Sequence, residues 1–191
     1  RRPYVFEVRD LWPESLTGIG MGTENAPHIR LLRALSRFLY RSSDHVVVVS
    51  PAFKEEIVGK WSIAPEKISL VENGGETDLF TPEGDTDAAQ QAIGVDDRFV
   101  VSYIGTLGLA HGLDVVLRAA AQLQRTLPEI LFLFVGEGAE KERLVSRVRT
   151  EGLANVRFLP QQPRERVSAL IRGSHVCLVL LRKAEVFKTV I

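Results

Sequence analysis

From residue 99 onward, short apolar runs alternate with stretches of helical period. The runs 99–104, 130–135, 156–159 and 175–181 are rich in Val, Ile, Leu and Phe, and 113–127, 139–152 and 163–173 lie between them. Within 113–127, Leu113, Val116, Leu117, Ala120, Leu123 and Leu127 recur at three and four residues and make one apolar face, with Asp114 in the first turn. Gly152 stands at a helix stop and Pro163 at a helix start. Apolar runs joined by helices are strands buried on both faces, which predicts a parallel sheet of right-handed βαβ units, a Rossmann-like domain. The first 80 residues carry the same alternation in shorter supply. They predict strands over 4–8, 45–49 and 68–71, a helix over 28–41 and a second helix opened by Ser50-Pro51.

Asn73-Gly74-Gly75 is a turn signal, and Thr81-Pro82-Glu83-Gly84-Asp85 is a break followed by a polar stretch. The expected fold class is therefore α/β with two Rossmann-like domains, both incomplete. Residues 1–80 form the C-terminal part of the first, 81–97 a linker and 98–191 the first part of the second. The chain begins without Met and ends on Val190-Ile191 in mid-pattern, so it reads as an excerpt of a longer protein.

Composition narrows the classes of function. Lys plus Arg and Asp plus Glu number 24 each, so no global basic field favours nucleic acid. One cysteine, Cys177, allows neither a disulfide nor a Cys-based zinc cage, and its apolar flanks predict a buried structural thiol. No run approaches the ~18 to 20 apolar residues of a membrane span, and no signal-type apolar core follows Arg1-Arg2-Pro3. A cytoplasmic protein is expected.

The chemistry is sought where strands end. The run 99–104 passes into Gly105-Thr106-Leu107-Gly108, then Ala110-His111-Gly112 and a helix. In an open α/β sheet, ligands bind beyond the carboxyl ends of strands, where glycines admit an anion to backbone N–H groups and a helix start adds positive potential. A phosphate-bearing ligand is the expectation. The spacing is neither G-x-G-x-x-G nor a P-loop. The next strand ends Val135-Gly136-Glu137-Gly138, and two glycine turns on consecutive strands converge on one crevice. The third ends Phe158-Leu159-Pro160, which either meets a flat base or belongs to the core.

These residues resemble the nucleotide-sugar-dependent glycosyltransferases of family 4, with the two-Rossmann GT-B architecture. The resemblance is carried, in order, by Ser50-Pro51, Pro65-Glu66-Lys67-Ile68 and Glu72-Asn73-Gly74-Gly75-Glu76-Thr77-Asp78-Leu79-Phe80-Thr81-Pro82. It continues through Tyr103-Ile104-Gly105-Thr106-Leu107, His111-Gly112-Leu113-Asp114, Val135-Gly136-Glu137-Gly138 and Asn155-Val156-Arg157-Phe158-Leu159. Asp10-Leu11-Trp12-Pro13-Glu14-Ser15 and Ala110-His111-Gly112 look most like the branch that builds bacterial surface polysaccharides, including amino-deoxysugar transferases acting on lipid-linked acceptors.

The resemblance implies transfer of a sugar from a nucleoside-diphosphate donor to an acceptor hydroxyl, on a lipid-linked or other saccharide, with retention of configuration and with no metal or other cofactor. Gly105 and Thr106 would lie against the donor diphosphate, and His111 would replace a phosphate-binding Lys. Gly136, Glu137 and Gly138 would border the donor site, and Phe158, Leu159 and Pro160 would approach the base. The family's Glu-x7-Glu element would begin around Lys188-Thr189 and finish beyond Ile191, with no Glu at its first place. Asp10 and Glu14 are the candidate catalytic carboxylates, orienting the acceptor or stabilising charge on the donor sugar. Alternatively, Asp10 caps a local turn. His28 and His45 have no metal-like partners at suitable spacing and read as structural. A sugar-nucleotide epimerase of the same architecture and a non-catalytic nucleotide-sugar-binding scaffold are the alternative functions.

Spacing alone also singles out Arg30, Arg33, Arg37 and Arg41, which fall within about 80° of one helix face, with Leu31, Leu35, Phe38 and Leu39 expected on the opposite side. Such a stripe is either a solvated face paired with acids or a contact for an anionic membrane, here the inner face of the plasma membrane, or for a pyrophosphate-linked acceptor.

Overall fold

The computed structural model describes residues 2–95 and 98–189. The chain divides into two compact units, one of Arg1–Gly74 with Arg182–Ile191 and one of Gly75–Leu181.

The first unit holds a three-stranded parallel sheet of β1 (Val5–Val8), β2 (His45–Val48) and β3 (Ile68–Leu70), in that order. Helix α1 (Glu14–Gly18) and helix α2 (Pro27–Ser42) join β1 to β2, and α3 (Pro51–Trp61) joins β2 to β3. Ser50 caps α3 by accepting from the Phe53 N–H at 3.2 Å, and Pro51 occupies the first turn, where no N–H is needed. Val8, Val46, Val48, Phe53, Ile57 and Trp61 make the core. Tyr40 enters it from α2, tilted against Phe6 and Trp61 at 5.5 and 5.4 Å.

Helix α2 meets the core through residues that the spacing of its arginines and leucines does not single out. Its core-facing positions are Ile29, Ser36 and Tyr40, whereas Leu31 is 71%, Leu35 50% and Phe38 63% exposed. The heptad-like pattern admits two apolar arcs, and the sheet takes the arc whose tyrosine fits between Phe6 and Trp61. The helix therefore turns outward Arg30, Arg37 and Arg41 and an apolar stripe, with Arg33 half-buried. Short α1 was expected as loop.

The second unit holds a four-stranded parallel sheet in the order β6-β5-β4-β7, built from β4 (Phe99–Ile104), β5 (Ile130–Val135), β6 (Val156–Leu159) and β7 (Val176–Cys177). Between them run α5 (Asp114–Leu123), α6 (Lys141–Glu151) and α7 (Arg164–Arg172). Apolar side chains fill both faces of the sheet. Phe132, Phe134, Leu117 and Leu144 pack on one side, and Val100, Leu131, Leu133 and Leu170 on the other.

Three further expectations change here. The stretch 81–97 is not plain linker: it contains α4 (Thr86–Ile93), capped by Asp85, which accepts from the Ala88 N–H at 3.0 Å, and closed by Gly94 in the left-handed region. Helix α4 packs on α7, where the buried amide of Gln90 donates to the Gly173 carbonyl. The run 175–181 pairs only through Val176 and Cys177, and Cys177 is exposed because β7 is an outer strand of the sheet. Finally, the residues after Leu181 group with the first unit. Val186 packs against its core, Phe187 is buried, and a Cβ on Gly18 of α1 would lie 2.6 Å from Val186 Cγ1. Among the described residues no helix is long and apolar enough to cross a membrane.

Candidate functional site

The ends of β4 and β5 carry two glycine turns that interlock through their main chains. The Gly105 N–H donates to the Val135 carbonyl at 2.9 Å, the Leu107 N–H to the Glu137 carbonyl at 2.8 Å, and the Glu140 N–H to the Leu107 carbonyl at 2.9 Å. Gly136 has φ of +146°, and a Cβ there would lie 2.0 Å from the Gly105 carbonyl oxygen. Gly138 has φ of +153°, and its Cβ would lie 2.4 Å from the Leu107 carbonyl oxygen. Only glycine lets the backbones approach this closely. Beneath them the buried Tyr103 donates its hydroxyl to the Thr106 carbonyl at 2.8 Å, and burial pushes that phenol up to about 12.

A cavity of about 330 Å³ opens on this interlock, lined by Ile104, Gly105, Thr106, Val135, Gly136, Glu137, Gln161, Gln162 and Val167. Its size is that of small-molecule sites, and it lies beyond the carboxyl ends of parallel strands, where such sheets bind ligands. Among the described residues, the N–H groups of Thr106, Glu137 and Gly138 have no acceptor. Glu137 accepts from Lys141 and from the Gln161 N–H, which together hold its carboxyl below the usual range.

The helices beyond the turns are tied by an ion cluster. Asp114, in the first turn of α5, accepts from Arg143 at 2.9 and 2.7 Å and from Arg147 at 2.8 Å, both on α6. The Arg143 hydrogen bonds lead in bringing its carboxyl from 3.8 down to about 2. Depression means that the stabilisation is present above pH 3.8 and is lost as pH falls toward 2. Asp114 is 32% exposed, so the expected loss in Asp114→Asn at neutral pH is under about 1 kcal/mol. Urea titrations from pH 7 to pH 3 check this: the gap between wild type and variant should narrow on the acid side.

Of the predicted donor-site residues, Gly105, Thr106, Gly136 and Glu137 line the cavity, and Gly138 packs under Leu107 on its flank. His111 stands in a 3-10 turn, Leu109–His111, on the same β4–α5 connection. Phe158 is half-buried and stacks on Phe134 at 4.9 Å and 15°, and Leu159 packs into the opposite core. Pro160 is exposed and accepts from Gln162. Gln161 and Gln162 take the place expected for them, and no motif in the sequence marks such amides.

The chain matches the family model described as glycosyl transferases group 1 over residues 85–191, and a glycosyl transferase 4-like domain model over residues 1–74. The chain belongs to the group 1 glycosyl transferases. The colanic acid biosynthesis glycosyl transferase WcaI of Escherichia coli (strain K12) is similar, 26% identical over 94% of this chain and 44% of its own length. A D-inositol 3-phosphate glycosyltransferase of Mycobacterium sp. (strain KMS) is 32% identical over 72% of this chain and 32% of its own. Among solved structures, Anabaena Alr3699/HepE in complex with UDP and glucose matches with a TM-score of 0.71 and 22% identity, over 93% of this chain and 46% of that one. The chain thus spans less than half the length of these relatives.

In this group 1 glycosyl transferase chain the two candidate carboxylates of the first unit fall in separate hollows. Asp10 is exposed beside Trp12, Phe6 and Leu35 in a groove along α2. Glu14 is half-buried, pairs with Lys60 at 2.7 Å and lines a different cavity with Glu24, Glu56 and Lys188. Arg30, Arg37 and Arg41 are exposed and Arg33 half-buried, and among the described residues none of the four is in an ion pair. His28 lies 3.3 Å from the Met21 carbonyl and His45 2.8 Å from the Ser69 hydroxyl, both structural contacts. Residues 190 and 191, toward which the Glu-x7-Glu element was expected to run, lie outside the described residues.

Proposed function

We propose that the whole protein moves a sugar from a nucleoside-diphosphate donor to an acceptor hydroxyl, on a lipid-linked saccharide of cell-surface polysaccharide synthesis, with retention and without a resident metal. The observation that carries this is the cavity on the interlocked turns, with unpaired N–H groups at Thr106, Glu137 and Gly138, in a chain of this family. The UDP held by the Anabaena neighbour supports a nucleoside-diphosphate ligand. In the reaction the bond from the sugar's anomeric carbon to the diphosphate breaks, a bond to the acceptor oxygen forms, and the hydroxyl proton passes to an oxygen of the departing diphosphate. Negative charge grows on the departing diphosphate, and fixed N–H donors stabilise it without rearranging. Asp10 is the carboxylate offered to the acceptor, whereas Glu14 is held by Lys60 and acts as a positioning group.

Calorimetric titration of the full-length protein with UDP, ADP and GDP tests the donor site. One nucleotide is expected to bind, and Thr106→Trp, which fills the cavity mouth, should weaken it by at least about 100-fold, a steric cost of about 3 kcal/mol. Binding unchanged in this variant would move the site elsewhere.

The same protein would work at the inner face of the plasma membrane, through α2. Its exposed Leu31, Leu35 and Phe38 beside Arg30, Arg37 and Arg41 suit a helix lying in an anionic interface. At about 1 kcal/mol per charge, Arg30→Gln/Arg37→Gln/Arg41→Gln should lower partitioning onto phosphatidylserine vesicles by about 100-fold. Neutral vesicles should register little change, and equal binding of both proteins to both vesicles would refute the contact.

A further inference from the structure

His111 is held in one tautomer. Its Nδ1 lies 3.1 Å from the Leu180 carbonyl oxygen. A carbonyl only accepts, so Nδ1 carries the hydrogen and Nε2 is the free nitrogen. That free edge lies over the β4–α5 turn: a Cβ built on Gly108 would sit 3.6 Å from His111 Cδ2 and 4.0 Å from Nε2. The neutral imidazole therefore turns a lone pair toward the turn, which an anion cannot use. Once protonated, the same nitrogen becomes a charged donor.

We propose that binding of the donor diphosphate takes up one proton at Nε2 of His111, so that the protein holds the anion as the imidazolium and releases it as the imidazole. The proposal rests on reading this turn as the donor diphosphate site. It differs from a fixed lysine at the position, whose charge is present at every working pH.

Three neighbours surround the ring. From β4, Tyr103 meets it with ring centroids 5.7 Å apart, and its hydroxyl is committed to the Thr106 carbonyl. The segment after β7 offers the uncharged Leu180 carbonyl. From α5, Asp114 stays ionised between Arg143 and Arg147 of α6. Two charge states of one nitrogen therefore correspond to two affinities for the same ligand.

The test is calorimetry of the full-length protein with UDP-glucose, ADP-glucose and GDP-mannose, from pH 6 to pH 8, in buffers of different ionisation enthalpy. These donors have no phosphate group that titrates over that range, so any proton taken up belongs to the protein. For the donor that binds, uptake should approach one proton per ligand above neutrality, and affinity should fall by up to about tenfold per pH unit until the backbone donors alone remain. His111→Asn keeps a donor for Leu180 at the Nδ1 position and removes Nε2; it should bind weakly, with no uptake and no pH dependence. His111→Lys should bind with no pH dependence. Wild-type binding without proton uptake, or uptake that survives in His111→Asn, overturns the proposal and leaves the donor site standing. Failure of all three donors to bind at pH 6 overturns the donor site and the proposal together.

Discussion

Gly136→Ala is expected to abolish nucleotide binding and to destabilise the second unit by about 3 kcal/mol or more, since a residue forced into such a backbone conformation costs about 1 to 3 kcal/mol before any clash is counted. The clash is severe, because the new Cβ would stand 2.0 Å from the Gly105 carbonyl oxygen, an atom of the opposing backbone that no side-chain rotation can clear. Relief requires the two turns to part, which breaks the Gly105 N–H to Val135 hydrogen bond and splits the cavity floor. At about 2 to 4 °C per kcal/mol for a chain of this length, thermal unfolding should begin roughly 10 °C lower. Gly105→Ala is the informative control. Its Cβ would meet only the Tyr103 hydroxyl at 3.5 Å, an ordinary contact, so its unfolding should stay within about 1 kcal/mol of wild type. Equal damage from both variants would mean that loss of glycine in general, and not the interlock, is being measured.

Phe134→Ala should have the largest effect on stability, about 3 to 5 kcal/mol by urea unfolding, because a buried phenyl leaves a cavity that the surroundings cannot refill. The ring is fully buried, stacks on Phe158 at 4.9 Å and approaches Tyr103 at 6.4 Å. Tyr103 in turn holds the Thr106 carbonyl, so the substitution should also loosen the donor turn and weaken nucleotide binding at temperatures where the protein remains folded. Phe134→Leu, which keeps most of the volume, should restore both. Full stability in Phe134→Ala would show that the stack contributes little to this core.

Much of this architecture is legible in the chain because strands buried on both faces leave no other reading. The runs at 99–104 and 130–135 are apolar throughout, and β4 and β5 occupy those residues. The glycine turns are equally visible, since no other residue suits their backbone. What the pattern conceals is decided by partners distant in sequence. Helix α2 carries two apolar arcs, and only the ring pocket between Phe6 and Trp61 selects the one with Tyr40. Helix α4 carries a real start signal in Asp85, but the preceding Pro and Gly read as a break, and its anchor, the Gly173 carbonyl, lies 83 residues away. Phe158 has the composition of a base-stacking residue, yet its ring is taken by Phe134 from the neighbouring strand. Gln161 and Gln162 line the cavity through their place after β6, which no local spacing encodes.

The interlocked turns present their donors from the main chain, and their shape depends on Gly136 and Gly138 rather than on the side chains that face the cavity. If the proposed donor binds here, recognition of its charged part by the main chain, with His111 beside it, is separated from recognition of its variable part. Positions 106, 137, 161 and 162 are free to be exchanged for residues that prefer another base or another sugar, while the anion cradle beneath them keeps its form. A scaffold divided in this way can diversify its clientele one side chain at a time.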